Sequence, residues 1–338
     1  YLCRAPSYYS HALFLSLVNT VCTYDPIGYG VPYNHMLLGD PREDVTYAAL
    51  HVLVVLLEYR LEPTRVHPTA PPPNVFVKYV AALRAPSGDF DALFDGIVAL
   101  LENAVAAPRT LLPNSAKRAQ CHQELLMLLW LVLQHNATLL AHVVERRDAL
   151  RVARPVLQLM LDGRHDETQL GMVHLGAFVV LLLSGERAFG VAINAPLGGD
   201  GAAPFAALPA FATHSHADLL VLVFAKLITD GHARLDTLYE CLLTVVANVS
   251  PYTKCLCTAA SAKLVQLFVM FSKQRHVFSG ATKHRYAFFL LEAFNNIVQY
   301  QYETNPHVVY NIVRHYQAFT RLASMQLPPW AASDDDAA

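Results

Sequence analysis

The chain has 338 residues, of which 54% are apolar and only 15% are charged, and its net charge at pH 7 is −2. This length exceeds what one compact core usually serves, so it predicts either two domains or an elongated, solenoid-like core. Because ordinary soluble domains carry roughly 25% charged residues, many helices must be buried on most faces or must meet a partner or a membrane. The lack of excess basic charge argues against nucleic acid as a partner.

Apolar residues recur with a helical period along the whole chain, and no segment alternates as a half-buried strand would. The first sharp helix start is Asp40-Pro41, where the aspartate is expected to cap the helix and Glu43 to complete a capping box. The predicted helices are 8–23, 41–60, 74–84, 88–105, 115–134, 136–146, 148–162, 167–184, 216–230, 232–249, 251–273, 283–302 and 306–324.

Two further cap-plus-proline pairs, Ser250-Pro251 and Asn305-Pro306, predict the starts of the helices at 251 and 306. Most of the connections are short, which is typical of antiparallel helix pairs. The sequence therefore predicts an all-α fold, an α-solenoid of stacked antiparallel helix pairs with HEAT- or armadillo-like dimensions.

Segments poor in helix signals suggest the domain boundaries. Residues 61–74 contain five prolines and read as an extended linker, and the segment 188–215 is rich in Gly, Ala and Pro and reads as a surface loop. We expect N-terminal helices in 1–60, a continuous helical solenoid in 75–325 and a disordered acidic tail in 326–338. Since the chain begins with Tyr1 rather than Met, we expect it to be a fragment.

Two uncharged windows, near 125–144 and 168–185, raise the alternative of an integral membrane protein. A spanning helix needs about 20 predominantly apolar residues. The first window contains several polar side chains, and the second is continuously apolar only from about residue 170 to 183. Burial as central helices of a soluble stack is the favoured interpretation.

The six cysteines have irregular spacing and form no CxxC pair. In a chain this long they are expected to be reduced thiols that pack as small apolar residues. Cys255 and Cys257 form a weak metal hint, because tetrahedral zinc sites normally recruit four ligands at recurring spacings.

His214, His216 and Asp218 match part of the HxHxDH metal motif, but Leu219 occupies the position of the last histidine. Ser215 and Asp218 also have the spacing of a capping box at the start of a helix. The cap is the favoured interpretation, because a motif needs its structural context. P-loop, HExxH and GxSxG motifs are absent, so no catalytic, cofactor-binding or metal-binding residues are predicted.

A glycine- and tyrosine-rich segment at 24–39 is the first candidate site, because a type I turn and stiffening prolines carry three tyrosine rings. Such rings either pack on neighbouring helices as a structural corner or anchor a partner, and the structural corner is favoured. The candidate residues are Tyr24, Asp25, Pro26, Gly28, Tyr29, Gly30, Pro32 and Tyr33.

The second candidate is the loop Gly185-Glu186-Arg187, which follows a very apolar helix. Arg187 could donate to the last carbonyls of that helix, with Glu186 fixing its orientation. A partner-binding loop is the alternative, and the structural role is favoured.

Five long segments carry a resemblance to a known family. They are VNTVCTYDPIGYGVPYNH at 18–35, LPNSAKRAQCHQELL at 112–125, LLLSGERAFGVAIN at 181–194, HADLL with TDGHARLDTLYECLLTVVANVSPY within 216–252, and FFLLEAFNNIVQYQYE at 288–303. In this order they resemble the high-temperature-induced dauer formation protein family, relatives of dymeclin, over about residues 18–322.

The resemblance implies a non-enzymatic protein on the cytoplasmic face of Golgi and trans-Golgi membranes, with a cytosolic pool. It implies peripheral membrane binding, N-myristoylation of the full-length members, and a role in secretory (dense-core) vesicle formation and cargo sorting. The expected partners are proteins of the secretory pathway and the Golgi membrane surface, with no cofactor and no nucleic acid.

Overall fold

The computed structural model describes residues 2–3, 7–26, 40–60, 74–84, 88–107, 117–145, 149–198, 205, 208 and 214–326. Within these residues it has sixteen α-helices, and the only extended pairing is an isolated bridge between Pro196 and Ser215. The helices are α1 (Tyr8–Cys22), α2 (Pro41–Glu58), α3 (Val75–Ala82), α4 (Gly88–Ala106), α5 (His122–His135), α6 (Ala137–Glu145), α7 (Ala149–Gly163), α8 (Leu170–Ser184), α9 (Arg187–Ala192), α10 (His216–Gly231), α11 (Asp236–Val249), α12 (Thr258–Phe271), α13 (Gln274–Val277), α14 (His284–Tyr300), α15 (Pro306–Arg314) and α16 (Tyr316–Ala323).

The longer helices form two stacked rows. The first row is α1, α4, α7, α10, α12 and α15, and the second is α2, α5, α8, α11 and α14. Each helix contacts the next one in its own row, and each second-row helix also packs on its partner from the first row. This arrangement confirms the predicted all-α solenoid of stacked helix pairs. The predicted domain division stays a prediction, because most of 61–74 and of the tail 326–338 lies outside the described residues.

The two rows are held together by one continuous apolar core. Its central helix is α8, which contacts α5, α7 and α11. Helices of the first row approach each other closely where a glycine faces the neighbouring helix: a Cβ on Gly96 of α4 would lie 2.4 Å from Cys22 Cβ and 2.6 Å from Cys22 Cα in α1. Such a distance leaves no room for any side chain at position 96.

Several predicted helix starts are confirmed. Asp40 caps α2 by accepting from the backbone N–H of Arg42 at 3.0 Å. Glu43 does not complete the expected capping box, because its carboxylate pairs with the ammonium group of Lys117. Asn305 precedes Pro306 at the start of α15, but its buried side chain makes no cap and binds the loop before α12 instead.

The prediction that Ser250-Pro251 starts a helix is wrong. Ser250 ends α11. Its backbone N–H donates to Val246 O at 3.1 Å, and its hydroxyl donates to Ala247 O at 2.7 Å. The next helix starts only at Thr258. Pro251 follows a helix here rather than opening one, a position that proline also favours because it cannot continue the helix.

The prediction of one surface loop over 188–215 is also wrong at its beginning. The segment starts inside α9, Arg187–Ala192, which is anchored by the buried side chains of Phe189 and Ile193. Gly190 is required in this helix, because a Cβ there would lie 2.4 Å from Cδ2 of Tyr252. A composition rich in Ala and Gly hid a short helix that is held in the core by Phe189, although Val191 on its other face is exposed.

The window near 125–144 is not one straight span. It breaks at Asn136, where α5 and α6 meet at 104°. The buried Asn136 amide donates to the carbonyls of Val80 and Leu83 at 2.8 Å each, and its Oδ1 accepts from the Leu139 N–H at 2.9 Å. The resulting pieces have 14 and 9 residues, shorter than the roughly 20 that a span requires.

The second window is long and apolar enough to cross a membrane, judged by its length and composition alone. The stretch Glu167–Ser184 has 18 residues with a mean hydropathy of 1.4, and half of it is buried inside the fold. It includes α8, whose position in the middle of the second row accounts for an apolar surface on most of its sides.

Candidate partner-binding grooves

Tyr24 lies at a buried corner directly after α1. Its side chain is 9% exposed, and its hydroxyl has no hydrogen-bond partner among the described residues. Burial, reinforced by the carboxylates of Glu43 and Asp40, raises the pKa of Tyr24, so the phenol is neutral at physiological pH. The ring therefore packs as part of the fold at this position.

A groove of about 400 Å³ opens beside this corner. Asn19, Thr20 and Thr23 of the α1 end line one side, and Arg42 and Val45 of α2 line the other. Of the other candidate residues in this segment, Asp25 is exposed and Pro26 is buried. The remaining ones lie outside the described residues, and they are Gly28, Tyr29, Gly30, Pro32 and Tyr33.

The structural role favoured for Arg187 is wrong. Backbone groups instead reach two of the last carbonyls of α8: Gly185 N–H donates to Leu181 O at 3.3 Å, and Glu186 N–H donates to Leu183 O at 3.1 Å. Arg187 instead begins α9 and is exposed, and no hydrogen bond from it reaches those carbonyls.

Glu186 and Arg187 line a second groove, of about 740 Å³, between α6 and α9. Its walls are mostly small and apolar, and the charged groups lie at its rim. The lining residues are Ala141, Val144, Glu145, Glu186, Arg187, Ala188, Val191, Ala192, Asn194 and Ala195. An apolar floor with a few polar rim groups is the usual composition of a binding site.

The floor of this groove is fixed by a polar side chain that sequence reasoning missed. Asn194 Nδ2 donates to Tyr252 O at 2.9 Å, and Asn194 Oδ1 accepts from the Lys254 N–H at 2.7 Å. These bonds tie α9 to the loop between α11 and α12. An asparagine at the end of an apolar helix was the only available signal, and it is too common to be specific.

The predicted capping box of Ser215 and Asp218 is confirmed and belongs to a larger network. Asp218 is fully buried, and its Oδ2 accepts from the backbone N–H of His214 at 3.1 Å and of Ser215 at 3.2 Å. Its Oδ1 accepts from the Cys257 N–H at 2.8 Å, and Ser215 Oγ accepts from the Asp218 N–H at 3.1 Å. The carboxylate thus joins the start of α10 to the start of α12.

The two histidines of the partial metal motif do not converge on that carboxylate. His216 Nδ1 lies 2.9 Å from Ala195 O, and His214 is exposed. Among the described residues, no cluster of three or more His, Cys, Asp and Glu side chains could hold a metal ion. Cys255, which the sequence paired with Cys257, is exposed and has a φ of 51°.

A third groove, of about 330 Å³, lies between α4, α7 and the start of α10 and was not predicted. Arg151 reaches into it and bonds both carboxylate oxygens of Glu102, at 3.0 and 3.2 Å, and Asp95 Oδ1 at 3.1 Å. Arg154 and His216 complete its polar side. The network links two helices of the first row, and burial lowers the pKa of His216.

A two-row stack of helix pairs with open grooves, as the described residues form it, defines a helical-repeat protein. The dymeclin family profile (Dyggve-Melchior-Clausen syndrome protein) matches residues 1–330. The chain therefore belongs to the dymeclin family.

The chain is similar to three proteins called Protein HID1. It is 42% identical to the Mus musculus protein and 43% identical to the Homo sapiens protein, in each case over 97% of the chain and 43% of the relative. Identity to the Dictyostelium discoideum protein is 33%, over 97% of the chain and 38% of the relative. The chain thus spans less than half the length of these relatives. No solved structure matches.

Proposed function

We propose that the chain is part of a non-enzymatic scaffold that acts on the cytoplasmic face of Golgi and trans-Golgi membranes. Its role there is to hold secretory-pathway proteins together during secretory (dense-core) vesicle formation and cargo sorting. Family membership supports this proposal, and none of the names of the relatives denotes an enzyme.

The observation that carries the scaffold role is the groove between α6 and α9. It is lined by Glu186 and Arg187, which lie in the segment 181–194 that carries the family resemblance, and its floor is fixed by Asn194. A further relative, the Schizosaccharomyces pombe "Ubp5-interacting protein ftp105", is 23% identical over 93% of the chain. Its name records a protein–protein interaction, which is the kind of activity that a helical scaffold supports.

The test is to change the groove in the full-length protein and to measure Golgi recruitment and dense-core cargo content in secretory cells. Arg187→Glu with Val191→Asp reverses one rim charge and places a carboxylate on an exposed apolar wall residue. The matched control, Arg84→Glu with Val55→Asp, makes the same changes at exposed positions away from the groove.

We expect the groove variant to lose cargo sorting or recruitment while its helical circular dichroism stays unchanged, and the control to behave as wild type. Normal recruitment and normal cargo content in a folded groove variant would show that this groove does not take part in recruitment or cargo sorting.

A further inference from the structure

Positive charge is concentrated in the last third of the described chain, although the whole protein is slightly acidic. Residues 241–291 contain six Lys and Arg residues and no Asp or Glu. Residues 1–240 contain 22 acidic residues against 17 basic ones. The hairpin of α12, α13 and α14 lies near the end of the stack, and the basic segment covers it as far as Leu291; the exposed Glu292 follows directly on α14.

The tip of this hairpin, residues 272–285, is held in place from the inside. The rings of Phe271 and Tyr286 lie 5.1 Å apart, and the Tyr286 hydroxyl donates to Asp236 O at 3.2 Å. Lys283 pairs with the Asp236 carboxylate. The hairpin is thereby fixed on α11, and its outward side chains are displayed on a stable support.

Two cations at the tip face outward without an acidic partner. Arg275 is exposed and Lys273 is half-buried, and neither forms an ion pair with another described residue. Burial, together with the charges of Arg275 and Lys273, lowers the pKa of the neighbouring His276. His276 is therefore neutral at physiological pH, and the lysine and the arginine carry the positive charge of the tip.

Exposed apolar side chains lie along α14, the helix that follows the tip. Phe288 is 59% exposed, and Leu291 and Val298 are exposed as well. Their spacings of three and seven residues place them on one face of the helix. Arg285 lies over the ring of Phe289, 5.7 Å from its centre, and pairs with Glu240. We call Lys273, Arg275, Phe288, Leu291 and Val298 together the hairpin surface.

We propose that the hairpin surface docks onto a membrane that contains anionic lipids. Cations beside protruding aromatic and aliphatic side chains match the two components of such a membrane. Lys and Arg are attracted to the anionic headgroups, and an apolar helix face enters the boundary between headgroups and acyl chains. The inference rests on the proposed function, which places the protein at a membrane surface. It adds the lipid chemistry and the residues that contact the membrane.

The direct test is co-sedimentation of the purified chain with vesicles. Phosphatidylcholine vesicles are compared with phosphatidylcholine vesicles that contain phosphatidylserine, at low and at high salt. The charge variant is Lys273→Gln with Arg275→Gln, and the apolar variant is Phe288→Ser. The control is Lys78→Gln with Arg84→Gln, which removes two exposed cations that have no ion pair among the described residues.

We expect binding only to the vesicles with phosphatidylserine, and we expect high salt to weaken it because exposed charges are screened. Each lost cation should weaken binding about 5-fold, so the charge variant should bind about 25-fold more weakly than the control. Phe288→Ser should weaken the part of the binding that survives high salt. Equal binding of the charge variant and its control would overturn the proposal.

Golgi recruitment of the full-length charge variant separates this inference from the proposed function. If the charge variant loses both vesicle binding and Golgi recruitment, the result supports the membrane inference and the proposed function. Wild-type protein that is recruited to the Golgi yet does not bind the anionic vesicles overturns the membrane inference alone. If the charge variant then also loses recruitment, the hairpin surface meets an acidic protein instead.

Discussion

Asp218 shows how a residue that resembles a metal ligand serves the fold. Its two oxygens accept three backbone N–H groups, from His214, Ser215 and Cys257, in a fully buried position. Those donors lie at the starts of two helices, where backbone N–H groups have no partner within the helix. The oxygens of this buried carboxylate are therefore satisfied by backbone donors of the fold itself.

Asp218→Ala should lower the free energy of unfolding by about 3 kcal/mol, because it leaves buried donors unsatisfied. Urea denaturation of the purified chain measures the change. His214→Ala is the control and should leave the midpoint unchanged, since the His214 side chain is exposed. A bound metal that either variant removes would contradict this account of the motif.

Tyr24 and Tyr239 form a matched pair of buried phenols. The Tyr24 hydroxyl has no partner among the described residues, whereas Tyr239 donates to Ile228 O at 2.9 Å. Tyr24→Phe should therefore raise the free energy of unfolding by about 1 kcal/mol, and Tyr239→Phe should lower it by about the same amount. Destabilisation by Tyr24→Phe in urea would show that this hydroxyl has a partner.

His122 should make stability depend on pH. Burial, assisted by the nearby charge of Arg118, lowers the pKa of His122 to about 4 in the folded protein, against about 6.5 in the unfolded chain. Between these values the unfolded state binds more protons, so stability is full above pH 6.5 and falls as the pH drops towards 4. Urea midpoints measured across this window should fall less steeply for His122→Gln, and an unchanged slope would exclude His122 as the cause.

At the scale of elements, glycines set how closely the helices of the first row approach. Gly96→Ala places a methyl group against the Cys22 backbone of α1, where nothing can move aside cheaply. We expect a loss of about 3 kcal/mol or more, the upper part of the usual range for overpacking. Gly88→Ala in the same helix is the control, because no atom lies within 4 Å of its added Cβ. Equal urea midpoints for the two variants would refute the close approach of α1 and α4.

Helices that the sequence predicted correctly are those in which the local signal and the packing agree. α2 has a capping aspartate, a proline in its first turn and a long apolar run. The errors arise where contacts with residues far away in the sequence determine the local structure. Ser250-Pro251 has the chemistry of a helix start, but Asn305, Asp218 and Asn194 bind the following segment as a loop from other parts of the chain.

The candidate site was predictable only in part for the same reason. The sequence singled out Glu186 and Arg187, but it could not show that α6 lies opposite them across a groove. Nor could it reveal the role of Asn194, which depends on a loop about sixty residues further along the chain. Local patterns identify elements, whereas a groove is a property of the stack.

At the scale of the whole molecule, two rows of helices expose a long surface and bury one core. Charge is distributed unequally along this stack, with the basic residues gathered towards its C-terminal end. A protein built in this way can present the α6–α9 groove and the hairpin surface to different ligands at the same time. That combination suits a scaffold that stays on one side of a membrane.

The central claim, a scaffold held at the Golgi membrane surface without crossing it, is tested most directly by alkaline carbonate extraction of Golgi membranes that carry the full-length protein. We predict that carbonate releases the protein into the supernatant, because α8 lies in the middle of the second row and contacts α5, α7 and α11. Retention in the membrane pellet, alongside an integral marker protein, would contradict the account and would favour a span at Glu167–Ser184.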